Sequence, residues 1–320
     1  MVNPLTHNDE IIFDEDKIHI DSIIKLVDSR YGIVVKSCEL ISSVETDIYK
    51  IQSELESYTV RITKTNNNFV NINQLTFQGK WLNFLKESIN VDHPLKTSSS
   101  DYQIELDTPS GIRYLTVSPF ISGTMISFDF ILTEERASIF AKNLATIHKI
   151  SIDYQDENIQ NKNPGKILNE IYDFLQKKAG NEYYAYYIKH ADLLKEKIEQ
   201  SDKFGFQTII WGDSPPFNAL YTISEDVYFI DFDLAGRGSN LFDIASYLHN
   251  LIINNFDNKE NITKSFINSY NSIIELNEND KDFIKDLMKL RHIQMETARG
   301  LDFSPSEKYK EYSRKIFDNL

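Results

Sequence analysis

The chain has 320 residues, 41% of them hydrophobic and 26% charged, which suits a globular protein with room for two lobes, each with its own core. Its formal net charge of −14 argues against nonspecific nucleic-acid binding and against adhesion to anionic membranes, and is compatible with a cationic small-molecule substrate. No apolar run reaches the roughly 20 residues that span a bilayer, Met1 to Glu10 lacks the basic start and apolar core of a signal peptide, and the lone Cys38 excludes an intramolecular disulfide framework, so a reduced, cytoplasmic protein is expected.

In chain order, Lys17 to Ser29 has the apolar spacing of an amphipathic helix, with Ile18, Ile20, Ile23, Ile24 and Val27. Strands are expected at Ile33 to Val35, Ile48 to Ile51 and Tyr58 to Ile62. In the last, Tyr58, Val60 and Ile62 alternate with Thr59 and Arg61, which share the opposite face. Lys64 to Asn68 reads as a loop, Gln74 to Glu87 as a helix with Leu75, Gln78, Leu82 and Leu85 on one stripe, and Ile112 to Val117 as a strand. The Pro- and Gly-bearing stretch Ser118 to Gly123 is the expected lobe boundary, dividing the chain into 1–121 and 122–320.

From Thr133, a helix N-cap followed by Glu134 and Glu135, the pattern turns helical. Ala137, Phe140, Ala141, Leu144 and His148 share a face. Further helices are expected at Lys166 to Lys178, Tyr184 to Glu199, Leu241 to Ile253, and Asp280 to Arg299 with Gly300 as its stop. A β-rich first third and a helical remainder make the fold class α+β.

The most informative stretch is Trp211-Gly212-Asp213-Ser214-Pro215-Pro216-Phe217-Asn218, followed by Ile230-Asp231-Phe232-Asp233. The β-branched run from Thr208 delivers Asp213 at a strand end, and the two prolines stop the sheet. Ala219 to Thr222 and Val227 to Ile230 read as strands around Ser224-Glu225-Asp226, and positions 218 and 231 are equidistant from the centre of that turn. Facing each other across an antiparallel hairpin, their Cα atoms would lie roughly 4.5–5.5 Å apart. An amide oxygen and a carboxylate at that separation suit a hard cation such as Mg²⁺. Taken singly, each residue reads equally well as a turn or cap residue.

These motifs resemble the aminoglycoside phosphotransferase, choline kinase and homoserine kinase group, which includes a bacterial stress-response protein kinase. The likeness lies in Gly212-Asp213, Asn218, Ile230-Asp231-Phe232-Asp233 and Ala235-Gly236-Arg237-Gly238. It extends to Val60-Arg61-Ile62, Leu144-Ala145-Thr146-Ile147-His148 and Leu241-Phe242-Asp243-Ile244-Ala245, in the same order along the chain. The resemblance implies a two-lobed protein-kinase-like fold, with a small β-rich nucleotide-binding lobe and a larger, mainly helical catalytic lobe. It implies transfer of a phosphoryl group from ATP or GTP to the hydroxyl of a small molecule. Asp213 would be the catalytic aspartate, and Asn218 and Asp231 would hold Mg²⁺. Arg61, with Lys64 as rival, would contact the phosphates. Ser42 and Ser43, in the segment Ser42 to Asp47, would cover them, and Pro119, Phe120 and Ile121 in the segment Ser118 to Ile121 would contact adenine.

Three positions depart from the group. Trp211 stands where histidine is usual, Gln78 where a helix glutamate usually holds the basic residue, and Ser42 to Asp47 lacks glycine. They leave open a nucleotide-binding pseudokinase, and the resemblance to the stress-response member leaves open a Ser/Thr protein kinase. Asp233 reads as a second metal carboxylate or a cap, Asp243 as a cap or a loop brace rather than a catalyst, His148 as a core histidine. Arg237, Arg291, His292 and Arg299 read either as substrate contacts or as surface residues.

Overall fold

The computed structural model describes residues 13–14, 17–44, 46–63, 70–127, 131–178, 180–299 and 305–320. The expectations at Lys64 to Asn68 and at Gly300 lie outside them. By contact the chain divides into a first unit, Met1–Gly123 with Tyr228–Asp233, and a second, Thr124–Val227 with Leu234–Leu320.

In the first unit, β1 (Phe13–Asp14) pairs with β2 (Lys17–Ile18) ahead of helix α1 (Ile20–Tyr31). The expected helix start at Lys17 is thus corrected: His19 takes extended backbone, and its ring nitrogen caps the helix by accepting from the Asp21 N–H. Five strands follow as one antiparallel sheet in the order β3-β4-β5-β7-β6: β3 (Ser37–Ser43), β4 (Thr46–Gln52), β5 (Ser57–Thr63), β6 (Ile104–Thr108) and β7 (Gly111–Pro119). The strand expected at Ile33 to Val35 does not form. Cross-strand bonding begins only at Lys36, whose N–H reaches the Gln52 carbonyl, and Ile33 instead lends its side chain to the core. That core joins Ile23, Leu26 and Val27 of α1 to Ile51, Val60, Ile62, Leu106, Leu115 and Val117 of the sheet. Each such burial contributes about 1.5–3 kcal/mol.

Helix α2 (Ile72–Leu85) lies between β5 and β6 in sequence. It is capped by Asn71, whose side chain accepts from the Gln74 N–H, and it buries the expected Leu75, Gln78, Leu82 and Leu85. The returning segment 228–233 is fixed to this unit by backbone. The Phe229 N–H bonds the Asn90 carbonyl at 3.0 Å, and the Asp92 N–H bonds the Phe229 carbonyl at 2.9 Å.

The second unit begins with β8 (Thr124–Met125) and the helices α3 (Glu134–Ile150), α4 (Pro164–Lys177) and α5 (Glu182–Glu199). Thr133 caps α3 as expected, accepting from the Arg136 N–H. Next come β9 (Gln207–Ile210), β10 (Ala219–Tyr221), β11 (Val227–Phe229), where the chain passes into the first unit, and β12 (Gly236–Ser239). Strand β9 pairs with β12, and β10 with β8. Four helices close the chain: α6 (Asn240–Ile253), α7 (Lys259–Asn271), α8 (Glu278–Arg299) and α9 (Glu307–Asp318). Every residue of α6 from Asn240 to Leu251 is buried, as an apolar helix at the centre of a unit must be. Among the described residues no helix is long and apolar enough to cross a membrane.

Candidate active site

Strand β9 ends at Ile210, and the loop that follows hangs on one buried carboxylate. Asp243, in the first turn of α6, accepts from the Trp211 N–H at 2.7 Å and the Gly212 N–H at 2.8 Å. The Asp243 carbonyl also accepts from the Ser214 hydroxyl at 2.7 Å. His148 supports it from α3, with Nε2 3.0 Å from Asp243 and Nδ1 2.8 Å from the Tyr270 hydroxyl. Asp243 is thus a loop brace and His148 a core histidine that bonds it. Gly212 has φ +82, and a Cβ there would stand 2.4 Å from the Leu234 carbonyl oxygen, so only glycine fits.

This arrangement explains Trp211. Its N–H supplies the tie to Asp243, while its fully buried ring stacks on Phe140 at 5.9 Å. The loop is held through backbone, and the ring packs against Phe140.

Asp213 follows directly, with a third of its side chain exposed (33%). Its Oδ1 pairs with the guanidinium of Arg291 on α8, a residue only 5% exposed. Arg291 is therefore an internal residue beside Asp213 rather than a surface one. Asn218 donates its amide nitrogen to the Asp213 carbonyl at 3.1 Å, which leaves the amide oxygen as its ligating atom. His292, next in sequence to Arg291, bonds His249 and Ser313, each at 2.9 Å. Arg237 donates to the Ile152 and Tyr154 carbonyls. The Arg299 side chain lies outside the described residues.

The remaining candidates belong to the first unit. Arg61, opposite Ile48 in the sheet register, donates to Asp233 at 3.3 Å and lies 3.8 Å from Asp231. The Asp233 carboxylate, helped by Asp231 and Asp92, holds the Arg61 guanidinium above its already high value against the opposing effect of burial. Gln78 does not hold Arg61: its amide donates to the Phe232 carbonyl at 2.9 Å. Asp233, read from sequence as a metal ligand or a cap, is the ion-pair partner of Arg61. Asp231 has φ +64, a left-handed conformation that aspartate tolerates better than most residues.

Ser42 and Ser43 end β3, Thr46 and Asp47 open β4, and the ladder runs on to Ser43 opposite Asp47, so this segment is the turn of a hairpin rather than a long loop. Glu45 lies outside the described residues. Asp47 accepts from the Ser43 hydroxyl at 2.6 Å and pairs with buried Arg113 on β7 at 2.5 Å. Pro119 closes β7, the Phe120 N–H bonds the Ser57 carbonyl at 2.9 Å, and the Lys50 ammonium sits 4.2 Å from the centre of the Phe120 ring. Ile121 follows, half-buried.

Among the described residues no group of three or more His, Cys, Asp and Glu is placed to hold a metal ion. The Asn218 amide oxygen, in the second unit, and the Asp231 carboxylate, in the first, are each hard oxygen donors. A donor of this kind suits a hard cation such as Mg²⁺.

The structure superposes on that of amicoumacin kinase, solved with AMP-PNP, Ca²⁺ and amicoumacin, with a TM-score of 0.75 at 17% identity, covering 94% of each chain. A microcompartment-associated aminopropanol kinase matches with a TM-score of 0.75 at 16% identity, over 93% of this chain and 95% of that one. The choline kinase LicA from Streptococcus pneumoniae matches with a TM-score of 0.66 at 14% identity, over 94% of this chain and all of that one (100%). The fold is kinase-like. In sequence the chain is 24% identical over 314 residues to the uncharacterized protein sll1119 of Synechocystis, covering 93% of this chain and 84% of that protein. No protein-family model matches. The α+β class and the kinase-like architecture read from the motifs are borne out at the level of the fold.

Proposed function

We propose that the protein is a cytoplasmic kinase that moves the γ-phosphate of ATP to a hydroxyl of a small molecule. The carrying observation is the loop from Trp211 to Asn218, fixed through its backbone by Asp243 and presenting the partly exposed carboxylate of Asp213. Asp213 orients the acceptor hydroxyl and takes its proton. The acceptor oxygen then bonds the γ-phosphorus, the bond from that phosphorus to its bridging oxygen breaks, and ADP leaves. Asn218 and Asp231 hold a divalent cation, taken as Mg²⁺, which when bound neutralises phosphate charge.

In the first unit Arg61 contacts the phosphates, Ser42 and Ser43 cover them, and Pro119, Phe120 and Ile121 contact the base. Residues 1–121 serve nucleotide binding and 122–320 catalysis and acceptor binding. The kinase solved with AMP-PNP and Ca²⁺ supports ATP and a divalent cation, with GTP as the rival nucleotide.

The acceptor is an amino alcohol or an aminoglycoside-like compound, in keeping with the aminopropanol and choline kinases of the same fold. A cavity of about 150 Å³ in the second unit is lined by residues of α6, α8 and α9. Glu296 on its wall accepts from the Tyr183 and Tyr309 hydroxyls, and Met295 stands one helical turn past Arg291.

A screen of hydroxyl-bearing amines, read by ADP release with ATP or GTP, tests this reading. Asp213→Asn should lower turnover by about 10²–10⁴-fold, the span of general-base catalysis, while nucleotide-dependent thermal stabilisation persists with Mg²⁺. No stabilisation at millimolar nucleotide, or phosphate traced into polypeptide instead of metabolite, would overturn it.

A further inference from the structure

The loop from Trp211 to Asn218 fixes the backbone of Asp213, but it does not fix the carboxylate, which can turn about its terminal torsion. That restraint comes from α8. The Arg291 guanidinium is buried at 5% exposure, grips Oδ1 of Asp213 with one amino group, and donates with the other to the Gln294 side chain at 2.7 Å. Its Nε is buried and bonds nothing among the described residues. The second oxygen of Asp213, Oδ2, makes no hydrogen bond among the described residues.

A buried guanidinium needs an anion, and Asp213 supplies it. The pair therefore constrains both partners: Arg291 is neutralised, and Asp213 is left one unbonded oxygen. A fork-shaped guanidinium, itself tied to Gln294, sets direction in a way that a lysine ammonium on a flexible stem does not.

We propose that Arg291 is the positioning residue of the phosphotransfer site, aiming Oδ2 of Asp213 at the acceptor hydroxyl by holding Oδ1. This rests on the role given to Asp213 above. In this role Arg291 touches neither nucleotide nor acceptor, so its loss weakens alignment in the transition state and leaves nucleotide binding alone.

The test uses the full chain with the acceptor found in the screen, and compares Arg291→Met, Arg291→Lys, Asp213→Asn and the double variant Arg291→Met with Asp213→Asn. Arg291→Met should lower kcat by about 100-fold with the KM for ATP within about twofold, the signature of an interaction made in the transition state. Arg291→Lys should regain about tenfold of that loss, since it restores charge but not the fork. In the Asp213→Asn background the same Arg291→Met change should alter the residual rate by less than about threefold, because the two residues act as one unit.

Equal losses from Arg291→Met in both backgrounds would mark a merely structural role and overturn the proposal. So would a wild-type kcat in Arg291→Met. Arg291→Lys keeps the test decisive if Arg291→Met does not fold, since a Lys variant with wild-type or undetectable turnover contradicts the partial recovery. A wild-type chain inactive with every acceptor sinks the phosphotransfer reading itself, a result distinct from an active wild type whose Arg291→Met variant is unimpaired.

Discussion

Arg61 on β5 donates to Asp233, 172 residues further along the chain, at 3.3 Å. The carboxylate that holds this basic residue thus comes from the same short segment as Asp231, and α2 contributes Gln78 to the Phe232 carbonyl instead. Asp233→Asn and Arg61→Met should each raise the KM for ATP by about tenfold, roughly the 1.4 kcal/mol of one charge-assisted bond, and together by little more than either alone. Gln78→Glu should not rescue Asp233→Asn. Initial rates at varied ATP check this, and full additivity would separate the two residues.

The brace at Asp243 gives a second expectation. Asp243→Ala leaves two N–H donors and His148 without their acceptor inside the protein, and should cost about 3–5 kcal/mol in urea unfolding. Trp211→His, by contrast, removes packing against Phe140 and should cost about 3 kcal/mol. Turnover per folded molecule should survive it, because the loop is tied by the backbone N–H. A folded but inactive Trp211→His variant would show that the indole does more than pack.

Asp47 and Arg113, at 3% and 4% side-chain exposure, form the buried pair that anchors the turn of the β3–β4 hairpin. Arg113→Met alone should destabilise by about 3–5 kcal/mol, since it removes the counter-charge of a buried carboxylate, and Asp47→Leu added to it should recover most of that loss. Urea titration of the three chains checks both statements. If the turn covers phosphate, the single variant also raises the KM for ATP.

Cys38, in β3, has its thiol pushed up to about 11 by burial. Alkylation by iodoacetamide should therefore be slow at pH 8 and rise about tenfold per pH unit toward pH 11, because the thiolate is the nucleophile. The native fold holds this proton more tightly than the unfolded chain, whose thiol titrates near 9.0, so the contribution to stability is complete below that value and is lost as pH rises toward 11. Cys38→Ser should remove this alkaline component of the stability profile.

Much of the architecture was legible because it rests on local pattern. The Thr133 cap, the alternation of Val60 and Ile62 and the stripe of α2 each carry their signal within a few residues. Strand β3 carried none: as an edge strand it buries none of its residues fully, so no alternation marks it. Helix α7 hides its buried Ile262, Phe266 and Tyr270 among Asn, Ser and Lys, and α9 buries only Ser313, Ile316 and Phe317. At the candidate site, the sequence proposed residues but carried no sign of their partnerships. Arg61 with Asp233 and Arg291 with Asp213 are separated by 172 and 78 residues, and no spacing rule reaches that far.

The chain has two tryptophans, and the fold gives one to each unit. Trp81 stands edge-on to Phe232, between Asp231 and Asp233, with ring centres 5.6 Å apart, while Trp211 lies two residues before Asp213 against Phe140. Intrinsic fluorescence is therefore a built-in pair of optical probes. With Trp81→Phe and Trp211→Phe variants, the emission of each unit can be followed separately as nucleotide or acceptor is titrated, without attaching a dye.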